Sequence, residues 1–561
     1  MGARRQGAPL TAPVRGIRWW PAALIAVACA CALGWVWLPD RDGQERVMMT
    51  FPIVFATLLL LAVWLVFLSR LSRRGRRFAL VAIVAIVSVI AATTRIRGVT
   101  GDLVPVLEWR WASREPPALR LDPLPSPQAQ SAEAPASVPA PATPVPAEPS
   151  PRPAAPPAVG ETAASASIAG DFPQFLGATR NGAVAGMRVT DNWVARPPKQ
   201  LWRRPIGAGW SGFAVAGNVA VTQEQRGDRE MVVAYSLVDG SPRWSHGDAA
   251  HYESTIAGEG PRATPTISRG RVFTLGSTGL LNCLDLETGK AIWRRDIAAD
   301  NDSPPPDFGR SSSPLVVDDL VVVSAGGPPG RSLVAYRRES GEPAWRAGDD
   351  LASYSSPVLV TLAGVRQIVV LNQSSVAGHD PATGRVLWTH DWPRTAPTVA
   401  IPLVVSENRV LLSSGYGIGS RLLQISRDGD AMNQTLVWES TRLKAKFTNP
   451  VVHDGFVYGL DDGVLVCLDP ATGERRWKGG RYGHGQTILV GNRLIVQTED
   501  GELVLVEASP QAHRELARFT AFQQKTWNPP ALAGRYLLVR TDTEAVCFEL
   551  AEDSRSSVET P

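Results

Sequence analysis

Apolar positions along the chain fall into two regimes. Before residue 95 they form three nearly unbroken runs, Ile17–Leu38, Phe51–Leu68 and Phe78–Thr94. After Gly170 they come in short bursts separated by Gly, Asp and Asn, with no helical periodicity of any length. A helix needs about 20 apolar residues to cross ~30 Å of hydrocarbon. The first two runs meet that requirement and the third lies near its lower limit, so three membrane-spanning helices are predicted. The later bursts read as strands joined by tight turns, and the region after Gly170 is predicted to be all-β.

Within that region one frame recurs. DLETGKAIW occupies Asp285–Trp293, DPATGRVLW Asp380–Trp388 and DPATGERRW Asp469–Trp477. Asp can hydrogen-bond to its own backbone, and Gly takes positive φ at little steric cost, so Asp-x-x-Thr-Gly encodes a turn between two strands. A single hairpin cannot bury both faces, so copies must stack, with the Trp wedged between neighbours. Looser copies end at Trp244, Trp345 and Trp438, and one without Trp ends near Phe519. The spacing agrees with the ~40–50 residues of a four-stranded propeller blade. A second marker precedes each hairpin, as in TPTISRGRVFTLG from Thr264 and NPVVHDGFVYGL from Asn449: strand, turn, strand. The last copy, Trp527–Leu550, lacks a closing strand, and a lone strand, Gln200–Pro205, stands at the front. Joining the two completes an eighth blade and leaves no open edge. The prediction is an eight-bladed β-propeller of four-stranded blades with N/C-terminal strand closure, preceded by three transmembrane helices.

The Asp-x-x-Thr-Gly-x-x-x-Trp frame resembles the repeat of the pyrroloquinoline-quinone-type (PQQ-like) eight-bladed propellers. The segment Phe172–Gly182, FPQFLGATRNG, is similar to the entry motif of such proteins in environmental bacteria. The superfamily contains quinoprotein alcohol and glucose dehydrogenases and a non-catalytic scaffold lipoprotein of outer-membrane β-barrel assembly. The resemblance covers roughly Phe172 to Leu550 and implies fold more strongly than activity. From its sequence, Phe172–Gly182 is expected to pack the arriving chain under the first blade; plugging of one end of the ring by Phe172 and Phe175 is the alternative.

Charge orients the anchor. Arg4, Arg5, Arg15 and Arg18 precede the first run, and Arg70, Arg73, Arg74, Arg76 and Arg77 separate the second from the third. The positive-inside rule puts both in the cytoplasm and everything after about residue 95 outside. A cleaved signal peptide ending near Ala30 is the competing reading, disfavoured by the two further spans that follow. From 116 to 157 there are 15 prolines in 42 residues with few large apolar side chains, a composition that stays extended, with a reach of at most ~130 Å. The expected organisation is a membrane anchor over 1–100, a Pro/Ala-rich disordered linker over 101–170, the propeller over 171–550 and a disordered tail over 551–561. The expected location is the bacterial inner (cytoplasmic) membrane, with the propeller on the periplasmic side.

Composition narrows the function. The formal charge of +4 comes largely from the membrane flanks, and no basic and aromatic stripe follows Gly170, which speaks against nucleic acid. Cys283, Cys467 and Cys547 occupy one slot in three repeats, where Ala234 and Ala335 stand in others, and read as small buried hydrophobes too far apart for disulfides. The seven histidines show no paired metal spacing, and there is no G-x-S-x-G elbow or Walker loop. Aligned starts of the innermost strands suggest a channel rim of Trp210, Arg262, Arg310, Tyr354, Lys446, Tyr482, His484 and Trp527, with Ser211, Thr264, Ser312, Ser355, Asn449 and Asn528 beside them. Such side chains suit an anionic or aromatic ligand; a solvated rim with no ligand is the plain alternative. We therefore expect a non-catalytic binding or scaffold module for envelope proteins or polymers. The resemblance implies the alternative, a quinoprotein dehydrogenase using PQQ and calcium to oxidise an alcohol or sugar. Its calcium ligands and catalytic Asp find no counterpart here, and adjacent cysteines are absent.

Overall fold

The computed structural model describes residues 18–38, 43–111, 170–254, 256–394 and 397–552. The proline-rich stretch of the expected linker, most of the tail and the first charged residues of the chain lie outside the described residues. The chain divides into two compact units, Met1–Pro117 and Ala118–Pro561.

The first unit holds α1 (Trp20–Trp37), α2 (Gly43–Val63, continued by a π turn over Trp64–Leu68) and α3 (Arg73–Thr93). All three are long and apolar enough to cross a membrane. Ser72 caps α3 by accepting a hydrogen bond from Gly75 N. Trp64 Nε1 donates to Arg18 O and Arg18 N to Ser69 O, which gathers the start of α1, the end of α2 and the start of α3 at one end. The other end carries an element that the apolar pattern did not announce. Thr94–Val99 and Pro105–Trp109 pair as an antiparallel hairpin directly after α3.

The second unit consists of eight antiparallel blades: 214–248, 266–296, 315–347, 358–391, 403–440, 451–481, 486–520 and 531–549, numbered 1 to 8 here. Strand order within each follows the chain from the short innermost strand outward. The outer strand of blade 8 is Lys199–Pro205, antiparallel to Glu544–Glu549, with Trp202 opposite Cys547. The front of the propeller thus zips onto its last strand, as the lone strand at Trp202 implied. The Arg540 guanidinium locks the seam by donating to Thr222 Oγ1 and to the carbonyls of Gln223, Gly207 and Gly209 in blade 1 and its approach.

The repeated frame works as its chemistry suggests. Asp285 Oδ1 accepts from Thr288 N (2.9 Å) and Oγ1 (2.7 Å), and Asp380 Oδ1 does the same for Thr383. The following glycines adopt φ of +69° at Gly289, +75° at Gly384 and +72° at Gly473. The Trp of one blade then lies flat on the turn glycine of the next. A Cβ at Gly341 would sit 2.7 Å from the Trp293 ring, and one at Gly473 2.8 Å from that of Trp438. Each indole also donates to a turn carbonyl: Trp202 to Leu237, Trp244 to Leu286, Trp293 to Arg338 and Trp438 to Pro470. Trp388 departs from this pattern and donates to Gln367 Oε1 instead. The outer hairpin of the next blade has strands of ten residues each, which carries its turn beyond reach. The cysteine slot faces the Trp across the outer strand pair, Cys283 to Trp293 and Cys467 to Trp477, and blade 5 fills the same slot with Leu422 opposite Trp438, so the position takes compact apolar side chains. Cys283, Cys467 and Cys547 are buried free thiols.

Candidate functional site

Inner strands begin at one end of the channel, and a belt of short polar contacts runs round that level. Gly212 N donates to Thr264 Oγ1, Thr264 N to Ser313 Oγ and Ser313 N to Ser356 Oγ. Ser355 Oγ donates to Ala400 O, and Ile401 N to Asn449 Oδ1. Gln486 Nε2 reaches both Phe447 O and Trp527 O, and Asn528 Nδ2 reaches Ser211 O. Every junction between neighbouring blades is bridged. This explains the small polar residues at the strand starts: backbone groups there have left the ladder and need a partner in the next blade.

The far end of the channel is closed by the entry segment. Asp171 Oδ1 accepts from Gly217 N, Phe172 pairs with Val215 of blade 1, and Pro173 O accepts from Ile267 N of blade 2. Leu176 packs into the apolar cluster of blades 4 and 5, and Ala183–Val184 add a parallel strand to blade 7. Arg180 projects from this strap into the inner strands. Its guanidinium donates to Thr266 Oγ1 and to the carbonyls of Ser313, Pro314 and Pro357, while Nε holds Gln174 Oε1. Burial lowers its pKa to about 9, which leaves it charged at neutral pH. Phe172 does lie under the first blade, as expected, and Phe175 only borders the blade 4–5 cluster. The residue that enters the channel is Arg180, which sequence reasoning missed. No residue type encodes most of its partners, because they are backbone carbonyls of blades 3 and 4, joined by one hydroxyl of blade 2.

The open end carries an arc of aromatic rings. Trp210 lies 4.9 Å from Trp527, Trp527 5.0 Å from Phe447, and Phe447 5.7 Å from His484, centroid to centroid. Lys525 Nζ sits 3.8 Å over the Trp527 ring and 5.3 Å from that of Trp210. Lys446, itself buried, reaches the rings of Tyr416 (4.7 Å) and Phe447 (5.7 Å). These are cation–π distances. Glu499 fixes the cluster, accepting from Trp527 Nε1 through Oε1 and from His484 N through Oε2. On the other side Trp210 Nε1 donates to Ala257 O, and the Arg262 guanidinium donates to that carbonyl while lying 4.8 Å over Tyr252. Tyr252 donates to Asp307 O, and Phe308 packs 5.7 Å from Tyr354. Burial lowers the Arg262 pKa to about 10 and raises that of Tyr354 to about 12.

Of the eight rim residues read from the sequence, the structure gathers Trp210, Trp527, Lys446 and His484 in one cluster and places Arg262 and Tyr354 along the same arc. Two are corrected. Arg310 is buried and spends its guanidinium on Ser303 and Ala325, tying down the loop between blades 2 and 3. Tyr482 wedges outward between blades 6 and 7, where its hydroxyl meets His513 Nε2 (2.8 Å) and donates to Glu515 Oε2 (3.1 Å). In both cases the backbone starts at the rim but the side chain turns away. Phe447, Lys525, Glu499, Tyr252 and Phe308 were missed. Lys525 stands two residues before Trp527 and Phe447 next to Lys446, so proximity to the strand starts was the available signal.

Comparison with known proteins agrees with this architecture. The profile of a family described as outer membrane protein assembly factor BamB matches residues 228–479. The BamB of Burkholderia pseudomallei is 25% identical over 329 residues, covering 55% of this chain and 76% of its own. That of Shewanella oneidensis is 24% identical over 287 residues, 43% of this chain and 70% of its own. The chain is an eight-bladed β-propeller with sequence similarity to these assembly factors. In fold it is also similar to a europium-containing methanol dehydrogenase, with a TM-score of 0.53 at 13% identity over 68% of this chain and 98% of that one.

The quinone and calcium ion that the dehydrogenase branch implies can be tested against this propeller's residues. Calcium takes six to eight oxygen ligands. Among the described residues no three His, Cys, Asp or Glu side chains are grouped to hold a metal. Glu499, the carboxylate of the arc, already accepts from an indole and an amide, and its neighbours are cations and rings. The open face therefore does not fit a quinone–calcium centre.

Proposed function

We propose that the protein is a membrane-tethered binding module, held by three spans in a bacterial inner membrane with its propeller on the extracytoplasmic side. It binds envelope proteins or polymers through the open face and performs no chemistry on them. The observation that carries this reading is the contrast in the channel. One end is sealed by the strap and Arg180, and the other presents partly exposed rings interleaved with Lys525 and Arg262 over blades 1 to 4 and 6 to 8. Rings with adjacent cations suit a partner that offers carboxylates or flat apolar surface. The resemblance to outer membrane assembly factors supports a protein partner. The arginines between α2 and α3 support the sidedness, and the proline-rich segment 116–157 serves as a spacer.

The test is cross-linking and capture from intact envelopes with the full chain and with a Lys525→Ala/Trp527→Ala variant. The wild type captures a partner that the variant loses. Equal capture by the variant sinks the role of the face. A PQQ- and calcium-dependent chromophore with alcohol-dependent dye reduction would replace the binding reading with an oxidoreductase.

A further inference from the structure

The hairpin after α3 has a face that water does not suit. Thr94 stands opposite Trp109, and Ile96 opposite Leu107, so these side chains share one face, while Arg95 points to the other. Ile96 is 65% exposed, Leu107 62%, Trp109 56% and Trp111 69%. The two indoles stack at 5.4 Å. Exposed apolar side chains in one contiguous patch signal a partner.

The position of the hairpin says which partner. α3 ends at Thr93 and the first strand begins at Thr94, with no residue between. Arg110 N donates to Thr93 O and Arg110 Nε to Thr94 O, which ties the second strand back to the helix end. The turn reaches the first residue of α2: a Cβ at Gly43 would lie 2.7 Å from Asp102 Oδ1. α2 and α3 run in opposite directions, so their start and finish lie on the same side. The hairpin thus crosses from one helix to the other at the level where the apolar helices stop. That level is the boundary of hydrocarbon and headgroups, where tryptophan concentrates and arginine stays among phosphates.

We propose that the hairpin 94–109 is a membrane-surface element, lying in the leaflet interface with Ile96, Leu107, Trp109 and Trp111 against lipid and Arg95 toward headgroups. It rests on the reading of α1–α3 as membrane spans. Its role is to fix the outer ends of α2 and α3 at one depth and to make the exit of the chain from the bilayer rigid rather than loose.

The experiment uses the full chain with Cys29 and Cys31 changed to Ala, reconstituted in bilayers with or without brominated lipids. An environment-sensitive dye is attached at Leu107→Cys, at Arg95→Cys, or at Val84→Cys in the middle of α3. Trp111→Cys, outside the strands, repeats the Leu107 measurement without disturbing a pair. Lipid brominated in the upper acyl chain, below the headgroups, should quench the dye at positions 107 and 111 roughly twofold and the dye at position 95 distinctly less. Deep bromines should quench position 84. Quenching at 84 without quenching at 107 and 111 overturns the hairpin inference and leaves the spans standing. A blue shift at 107 without quenching means protein covers the face and overturns it equally. No quenching at 84 removes the membrane reading, and the inference with it.

Discussion

At the closed end of the channel, Arg180 and Phe172 are buried, and every donor of the guanidinium that the structure pairs goes to an acceptor of the protein itself. At the open end, Trp527, Phe447 and Lys525 are only partly covered. The residue types are alike, and the difference is what completes them. Arg180 is finished by carbonyls of blades 3 and 4, so its role is structural. The rings and cations of the arc keep faces that a partner could cover. Satisfaction of hydrogen bonds, more than residue identity, separates a structural plug from a candidate binding face.

The contrast can be broken in several ways, the largest effect first. Arg180→Ala leaves inner-strand carbonyls without donors and opens a void, and should cost roughly 3–5 kcal/mol in denaturant unfolding. A loss below about 1 kcal/mol would mean the strap is not a structural plug. Gly341→Ala combines a φ of +72° with contact against Trp293, and should cost about 2–3 kcal/mol. Gly429→Ala, with φ of +58° and open space around it, carries the backbone cost alone, about 1 kcal/mol. The difference between the two isolates Trp docking from turn strain. Lys525→Ala should change stability by no more than about 0.5 kcal/mol. The same substitution should weaken partner capture severalfold, about the worth of one cation–π contact; unchanged capture breaks the comparison from the open side.

The smallest effect is a pH slope that calibrates burial away from both ends. Burial holds the pKa of His379 below its usual 6.5, although its Nδ1 contact with the Gly384 carbonyl opposes this. The fold favours the neutral ring, so this contribution is present above pH 6.5 and is lost as pH falls below it. Unfolding midpoints measured across that window should drop on acidification, and less steeply in His379→Asn.

Much of the fold was legible because its signals are local. Asp, Thr and Gly within five residues make the turn, and a Trp four residues on reaches the next turn. The closing strand at Trp202 followed from counting strands. The departure at Trp388 was not legible, because it depends on the length of a hairpin in another blade. At the open face the strand starts pointed to Trp210, Trp527, Lys446 and His484, yet Arg310 and Tyr482 turned elsewhere. A side chain at a loop's end takes its direction from whatever acceptor lies nearby in space. For Arg310 that was Ser303, and for Tyr482 it was Glu515.

By itself the amino-acid order determined the turns, the blade repeat, the ring closure and the apolar helices, since each rests on contacts between near neighbours or on composition. Tertiary structure alone decided that Arg180 ties the strap to the inner strands of blades 2 to 4, that Phe447 and Lys525 join Trp210 and Trp527 in one arc, and that a hairpin spans the ends of α2 and α3. Those outcomes depend on groups brought together from distant parts of the chain, and many of the partners are backbone atoms that no residue type announces.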